Sequence, residues 1–256
     1  MALFTDGTAV GIEDLTTQDS GLLEIAVVEG INLTTKLALA QDEVAMELKA
    51  LFERARTNYV FGLTYSAVRL PNLVVNTPVR LWLVYQTLVL VYRDGYFNQL
   101  NDRYKAKWNE FASLTRWAKD KLIETGVALV TDPISQAGAP TVNSVAAPES
   151  AGTFYLSVSF VNAAGEEGKP SVPVTFTTAD GNAPDVLPAN APANAAGWNF
   201  YGGLSPETMY LQNGSPLDLG TDFAFYPSAA VTAGQLPGDG QAPNFYRAIP
   251  RLLQRG

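Results

Sequence analysis

The sequence predicts an α+β multidomain protein in which an N-terminal α-helical bundle is followed by a domain of β-strands. Its length of 256 residues exceeds what one average domain needs. Residues 1–130 hold 13 of the 17 lysines and arginines, whereas only Pro71 and Pro78 of the 16 prolines precede Pro133. The second half is rich in glycine, proline, alanine, serine and asparagine, which is typical of short strands joined by turns. We expect a helical domain at 1–130, a linker at 131–150, a β domain at 151–240 and a C-terminal arm at 241–256.

The composition disfavours several kinds of chemistry. The chain contains no cysteine and no histidine, so thiolate chemistry and the commonest general base and metal ligand are excluded. A formal net charge of −8 disfavours general binding to nucleic-acid phosphates. The sequence does not show the basic segment followed by an apolar core that predicts a secretory signal. Its most apolar stretch, 79–92, is too short and too polar to span a membrane. We expect a soluble, non-enzymatic protein without a cofactor or a metal.

The first two predicted helices have recognisable ends. The first covers 16–29 and stops at Gly30, which suits the left-handed position after a helix. The second covers 33–56, and Asn32 is its expected N-cap residue. A less regular connection is expected at 57–76.

The third predicted helix is apolar almost all round. Thr77 is expected to cap it, and Pro78 suits its first position because proline has no N–H to leave unpaired there. Apolar and aromatic residues from 79 to 97 lie nearly all round it, with only a narrow polar stripe of Arg80, Thr87 and Asp94. A helix of this kind must be buried on every side. Since a domain of three or four helices is too small to provide that cover, we expect copies of the chain to pack around this helix in a tight oligomer.

The last predicted helix follows a kink or break near Gly95, at 95–101, and ends at Gly126. One apolar stripe faces the bundle: Leu100, Tyr104, Trp108, Phe111, Thr115, Ala118 and Leu122. Trp117 lies on the opposite face, where an aromatic side chain favours an interface. The candidate subunit interface therefore comprises Trp82, Tyr85, Tyr92, Tyr96 and Trp117.

The strings Tyr92-Arg93-Asp94 and Asn101-Asp102-Arg103-Tyr104, within 91–104 and followed by Lys107-Trp108, resemble the long-helix signature of head-to-tail adaptor proteins of tailed bacteriophages. The segments 22–25, 29–33 and 36–41 fit the same pattern, so the resemblance covers about residues 15–125. It implies a homo-oligomer, a dodecameric ring of helical bundles that docks under the portal protein in the virion neck and is assembled in the host cytoplasm. Such a ring extends the DNA channel without binding DNA specifically, and its lower face offers a docking surface to tail or neck proteins.

Two groups of basic residues acquire candidate roles from this resemblance. The family often has a C-terminal arm that reaches into the portal, and the end of this chain is basic and apolar. The candidate portal-contacting residues are Arg247, Arg251, Leu252, Leu253 and Arg255; a disordered tail explains the same composition. Arg103, Lys105 and Lys107 are candidates for lining the channel, although flanking charges on a helix also form ion pairs.

Several strands are predicted in the second half: 153–161, 171–178, 197–201, 209–212 and 222–225. The first of them alternates and is expected to be half-buried, whereas 179–196, with three prolines, is expected to be a long loop. The string 155–171 resembles the late strand–turn–strand of fibronectin type III domains, and 197–202 resembles an earlier strand of that fold, in reversed order. The resemblance implies an immunoglobulin-like β-sandwich appended to the adaptor domain.

The β domain allows a different function. Exposed Trp198, Tyr201, Tyr210 and Tyr226 would allow a virion surface module to bind host glycan by ring stacking, although aromatic residues also build cores. Two other motifs predict turns rather than sites. The segment 180–185 has too few oxygen ligands for calcium. The neighbouring Glu166 and Glu167 point apart and are expected to be solvated turn residues.

Overall fold

The computed structural model describes residues 2–57, 69–99 and 102–249. The chain forms two compact units. The helical unit comprises Gly7–Val130 and Pro243–Gly256, and the β unit comprises Met1–Asp6 and Thr131–Ala242. The predicted order, helices first and antiparallel strands second, is confirmed. The linker expected at 131–150 is wrong, because this segment belongs to the β unit and contains a strand.

The described part of the helical unit contains five α-helices: α1 Ile12–Gln18, α2 Leu22–Val28, α3 Leu33–Thr57, α4 Thr77–Gln99 and α5 Asp102–Thr125. The single helix expected at 16–29 is two helices, because the chain turns at 19–21, where Asp19 Oδ1 accepts a bond from the Gly21 N–H at 3.1 Å. The predicted stop at Gly30 is confirmed. Gly30 has φ +65°, and the Ile31 N–H donates to the Ala26 carbonyl at 2.8 Å, which closes a Schellman motif.

The caps of the two long helices differ in how well the sequence predicted them. Asn32 caps α3 as expected, with its Oδ1 accepting from the Thr35 N–H at 3.1 Å. Thr77 does not cap α4; Asn76 does, through a 3.2 Å bond from the Val79 N–H to its Oδ1. Thr77 and Pro78 are instead the first two residues of the helix. The cap was misplaced by one residue because both side chains favour that position.

Helix α4 is the central helix of the bundle, and a single chain covers most of it. Helices α1, α3 and α5 all pack against α4. The described apolar side chains along its length that are almost fully buried are Val79, Trp82, Leu83, Val84, Leu88, Leu90, Val91 and Tyr92. The predicted burial on every side is confirmed only in part, because Leu81 and Val89 are half-buried and Phe97 is 61% exposed. Since α1, α3 and α5 provide most of the cover, the burial of α4 does not by itself require other copies.

Nine strands follow α5 in the described residues: β1 Val127–Leu129, β2 Thr141–Ala146, β3 Gly152–Asn162, β4 Val174–Thr178, β5 Asn182–Leu187, β6 Ala195–Gly203, β7 Tyr210–Leu211, β8 Phe223–Ala224 and β9 Phe245–Arg247. In the β unit they form a four-stranded sheet of order β4-β3-β6-β7 and a three-stranded sheet of order β2-β5-β8, both antiparallel. Every strand predicted from the pattern is present. The loop expected at 179–196 is wrong, because β5 lies there as the middle strand of its sheet despite Pro184.

Both sheets contribute to one apolar core. Its buried members in the strands and next to them include Phe154, Leu156, Val158, Phe160, Val186, Trp198, Phe200 and Phe225. Strand β3 is buried on both faces rather than half-buried, because the chain at 167–171 covers its second face. Ser157 Oγ donates to the Ser171 carbonyl there at 2.9 Å. Leu3 and Phe4 are also buried, as part of this unit.

Strands β1 and β9 belong to the helical unit and pair antiparallel, with Val127 opposite Arg247. The residues from 131 to 242 are therefore inserted between two neighbouring strands. Gly126 makes the close approach possible, because its φ is +87° and a Cβ atom there would lie 3.0 Å from the Arg247 carbonyl oxygen. The arm expected at 241–256 thus begins as a strand. Arg251, Leu252, Leu253 and Arg255 lie outside the described residues.

Candidate functional site

Residues 92–94 of α4 and 102–104 of α5, the described parts of the strings that resemble phage head-to-tail adaptors, lie next to α2. Gly95 in α4 faces the Tyr104 ring of α5, which would lie 3.4 Å from a Cβ atom at that position. Helix α4 continues past Gly95 to Gln99 and α5 begins at Asp102, so the break expected within 95–101 is confirmed. The ring of Tyr92 lies 6.3 Å from that of Tyr104 and 5.5 Å from that of Phe111, centroid to centroid. Tyr92, Tyr104 and Phe111 therefore form a buried aromatic seam between the two long helices.

The hydroxyl of Tyr92 ties this seam to the turn before α2. It donates to Asp19 Oδ2, and Lys107 Nζ lies 3.7 Å from the same oxygen. Burial raises the pKa of the Tyr92 phenol well above its ordinary value, and the Asp19 carboxylate raises it further. Tyr92 therefore stays protonated at neutral pH and remains a hydrogen-bond donor to Asp19.

A second tie holds the other end of α2. The Tyr104 hydroxyl donates to Glu29 Oε1 at 2.8 Å. Arg103 donates to the same hydroxyl, and its guanidinium carbon lies 4.5 Å from the ring centroid. That hydrogen bond raises the pKa of Arg103. The Asn98 amide adds a 3.4 Å bond to the Glu29 carbonyl, so α4 and α5 together fix the end of α2.

A cavity of about 320 Å³ lies between these ties. Its wall includes Asp19, Glu24, Val28, Arg103 and Lys107. Among these charged groups, Lys107 lies 3.7 Å from Asp19. The contacts described above use Asp19, Arg103 and Lys107 to position the helices.

Helix α2 exposes an apolar surface that the sequence analysis missed. Leu23, Val27 and Val28 are 51%, 82% and 60% exposed. Six of the seven residues of α2 are apolar, which is more than one face of a two-turn helix can bury. Only Leu22 and Ala26 are buried in it. The excess of apolar residues is visible in the sequence. The prediction of one long helix over 16–29 obscured it, because a longer helix can bury more apolar residues.

The predicted interface residues do not share one surface. Trp82, Tyr85 and Tyr92 are buried inside their own chain and are not available to a neighbour. Tyr96 is half-buried beside Phe97, with ring centroids 5.4 Å apart. Trp117 is 46% exposed, as its place on the polar face of α5 predicted.

The candidate channel residues are placed differently from one another. Arg103 and Lys107 take part in the ties to α2, so both side chains interact with groups of their own chain. Lys107 also lies 3.7 Å from Glu110 and 5.4 Å from the centroid of the Phe111 ring. Lys105 is exposed. Of the candidate arm, Arg247 is half-buried in β9.

The aromatic residues considered for glycan stacking are also divided. Trp198 and Tyr201 are fully buried, so their predicted exposure is wrong. The Trp198 indole donates to the Asp218 carbonyl at 3.0 Å, and the Tyr201 hydroxyl donates to Glu167 Oε1 at 2.6 Å. Glu167 is therefore part of a polar network and not a solvated turn residue. Burial raises the pKa of Tyr201.

Two further properties concern the described part of the chain only. None of its groups of histidine, cysteine, aspartate or glutamate is arranged to hold a metal ion. Its helices include none with the length and apolarity that crossing a bilayer requires. Comparison of the whole chain with protein-family models, curated proteins and solved structures found no match.

Proposed function

We propose that this chain is a non-enzymatic structural protein of the virion neck of a tailed bacteriophage, where copies form a dodecameric ring that joins the portal protein to the tail and extends the DNA channel. Support comes from the likeness of residues 15–125 to head-to-tail adaptors. The two ties to α2 use Tyr92, Arg103 and Tyr104, which belong to the strings that carry this likeness.

The observation that carries the assembly part of the proposal is the exposed apolar surface of α2. Single exposed apolar side chains are ordinary on protein surfaces, but Leu23 and Val27 are one helical turn apart and Val28 adjoins them. Because the ties at Asp19 and Glu29 hold both ends of α2, this surface is presented rigidly. A rigid apolar surface on every copy suits a contact that is repeated around a ring.

We also propose that the β unit is an immunoglobulin-like sandwich attached to the ring. Strand β3 pairs with both β4 and β6. In immunoglobulin-like folds, the first strand of the late hairpin likewise pairs with the second strand of that hairpin and with a strand from earlier in the chain. The three-stranded sheet then corresponds to the opposite sheet of the fold. The reversed order of the two motifs corresponds to a cyclic shift of the strand sequence.

The decisive experiment is native mass measurement of the purified chain, alone and mixed with the portal protein of the same phage. We expect a ring of defined copy number in at least one of the two conditions, visible as an annulus by negative-stain electron microscopy. A chain that stays monomeric in both conditions would overturn the adaptor proposal.

A further inference from the structure

The two units carry very different formal charges. The β unit contains eleven acidic residues and a single basic residue, Lys169, which gives a formal net charge of −10. The helical unit contains 14 acidic and 16 basic residues, a formal net charge of +2. A surface as acidic as that of the β unit attracts basic segments and repels acidic ones.

This acidic unit contains an apolar cavity of about 310 Å³. Phe154 and Phe225 form its buried floor, and Tyr210, Ala230 and Val231 line its sides. No side chain that the structure describes along its wall carries a charge. Leu204, which is 74% exposed, also lines it. The volume lies at the lower end of the range for ligand sites, about 300–1,000 Å³, which suits one or two side chains.

The outer wall of the cavity is held in place by side-chain bonds. The Gln212 amide accepts from the Val231 N–H at 2.8 Å and donates to the Val231 carbonyl at 3.0 Å, as a neighbouring strand would. Glu149 accepts from the Ser228 N–H at 3.0 Å and from its hydroxyl. The segment that carries Pro227, Ala230 and Val231 is thus fixed at two points, so the cavity is preformed and needs no ordering on binding.

We propose that this cavity receives Leu252 or Leu253 of the C-terminal segment 250–256 of a neighbouring copy. The segment combines two adjacent leucines with Arg251 and Arg255. Its leucines match the uncharged lining, and its arginines match the net negative charge of the β unit. The nearest such charge along the chain is the exposed Glu207, next to the lining residue Thr208. This contact rests on the proposed ring, which brings copies side by side.

The test uses a fluorescent peptide of residues 248–256 and the chain that lacks residues 250–256, with binding followed by fluorescence anisotropy. We expect saturable binding. Replacing both leucines of the peptide with serine, or both arginines with glutamate, weakens it at least tenfold. Equal affinity for the serine peptide would overturn the proposal, since binding would then be purely electrostatic.

Two variants of the protein locate the site. Thr232→Trp fills the cavity from an exposed position and is expected to weaken peptide binding at least tenfold. Thr175→Trp is the matched control, because Thr175 is equally exposed on β4, at the opposite edge of the four-stranded sheet, and is expected to leave binding unchanged. Equal effects of the two variants would overturn the assignment to this cavity.

The full chain decides which copy supplies the segment. At a concentration at which native mass measurement finds only monomers, the full chain is expected to bind the peptide as tightly as the shortened chain does. A weaker affinity of that monomer would show that the cavity is filled by its own chain and would overturn the contact between copies. Because the peptide assay requires no ring, absence of binding combined with a ring by native mass measurement would remove this inference alone.

Discussion

The helical unit and the β unit differ in the polar interactions that join the elements inside each of them. In the helical unit, ion pairs join neighbouring helices: Arg80 with Asp14, Lys36 with Asp94 and Lys119 with Glu47. In the β unit, hydrogen bonds from neutral donors take this role. Gln241 accepts from the Ile134 N–H at 2.7 Å and donates to the Asp132 carbonyl at 2.9 Å.

The difference follows from composition and has consequences for stability. A unit with one lysine cannot balance eleven carboxylates by pairing, so its buried polar contacts must come from amides, hydroxyls and backbone. Exposed ion pairs contribute about 0–1 kcal/mol each, whereas a buried amide left without its partner costs about 1–3 kcal/mol. The exposed ion pairs of the helical unit are therefore expected to tolerate change better than the buried amide bonds of the β unit do.

The largest expected effect is on assembly and separates the roles of the two units. Val27→Asp places a charge on the exposed surface of α2 and is expected to abolish the ring in native mass measurement. Because Val27 is 82% exposed, the free energy of unfolding should change by no more than about 0.5 kcal/mol. Val172→Asp is the matched control, since Val172 is 71% exposed in the β unit. A ring that survives Val27→Asp would show that α2 is not the assembly surface.

The next effect concerns the two cores. Trp198→Ala removes a fully buried side chain of the β unit and is expected to cost about 3–5 kcal/mol in urea unfolding. Trp117→Ala is the matched change in the helical unit and should cost less than about 1 kcal/mol, since that side chain is 46% exposed. Hydrogen exchange is expected to show increased opening of the β unit only. Similar costs for the two changes would contradict the assigned burial.

A smaller effect is expected at the tie between α4 and the turn before α2. Tyr92→Phe removes the hydroxyl that donates to Asp19 and is expected to cost about 1–3 kcal/mol of unfolding free energy. Tyr85→Phe is the matched control, because its hydroxyl lies 3.5 Å from Gln18 Oε1, at the limit of a hydrogen bond. The comparison is made by urea titration of both variants. A larger loss for Tyr85→Phe would remove the argument that the signature residues hold α2.

The smallest effect tests the charge crowding in the β unit. Burial raises the pKa of Asp185, and the neighbouring Asp222 carboxylate raises it further. Because the folded pKa is above the unfolded one, the ionised form is disfavoured in the fold, so stability falls as pH rises through the folded pKa. Asp185→Asn removes this penalty, and solvent screening limits the gain to a Tm rise of about 1–3 °C at neutral pH.

The gain from Asp185→Asn should vanish below about pH 3.9, where the carboxyl is protonated in both states. Thermal melts across this range check the expectation. Asp239→Asn, at an exposed acid of the same unit, controls for the general loss of one negative charge. A gain that is independent of pH would contradict the proposed cause.

The sequence predicted local features well because their causes are local. Asn32 and Gly30 lie where caps and stops require them, and the apolar stripe of α5 faces the bundle with Tyr104, Phe111, Ala118 and Leu122 buried. The pattern of α4 likewise predicted the burial of most of its apolar residues. It did not indicate which chain provides the cover, because periodicity records that a face is buried and not what buries it.

The missed features depend on contacts between distant parts of the chain. Strands β1 and β9 have three residues each and pair across more than a hundred positions, so neither produces a periodic signal. Strand β2 is exposed along most of its length and shows no alternation of apolar residues. Strand β5 contains Pro184, which argues against a middle strand when read alone. Predicting the exposed surface of α2 would have required knowing which of its apolar residues the bundle leaves exposed to solvent.

The pairing of β1 with β9 makes the β unit a detachable module. Paired strands lie about 5 Å apart, so its two points of entry, Leu129 and Phe245, are close enough for a short turn to replace everything between them. A single recombination event can thus add or exchange the module without disturbing the helices. Leu3 and Phe4 are buried in this unit. A module that replaces the β unit would therefore also need a surface that buries these two side chains.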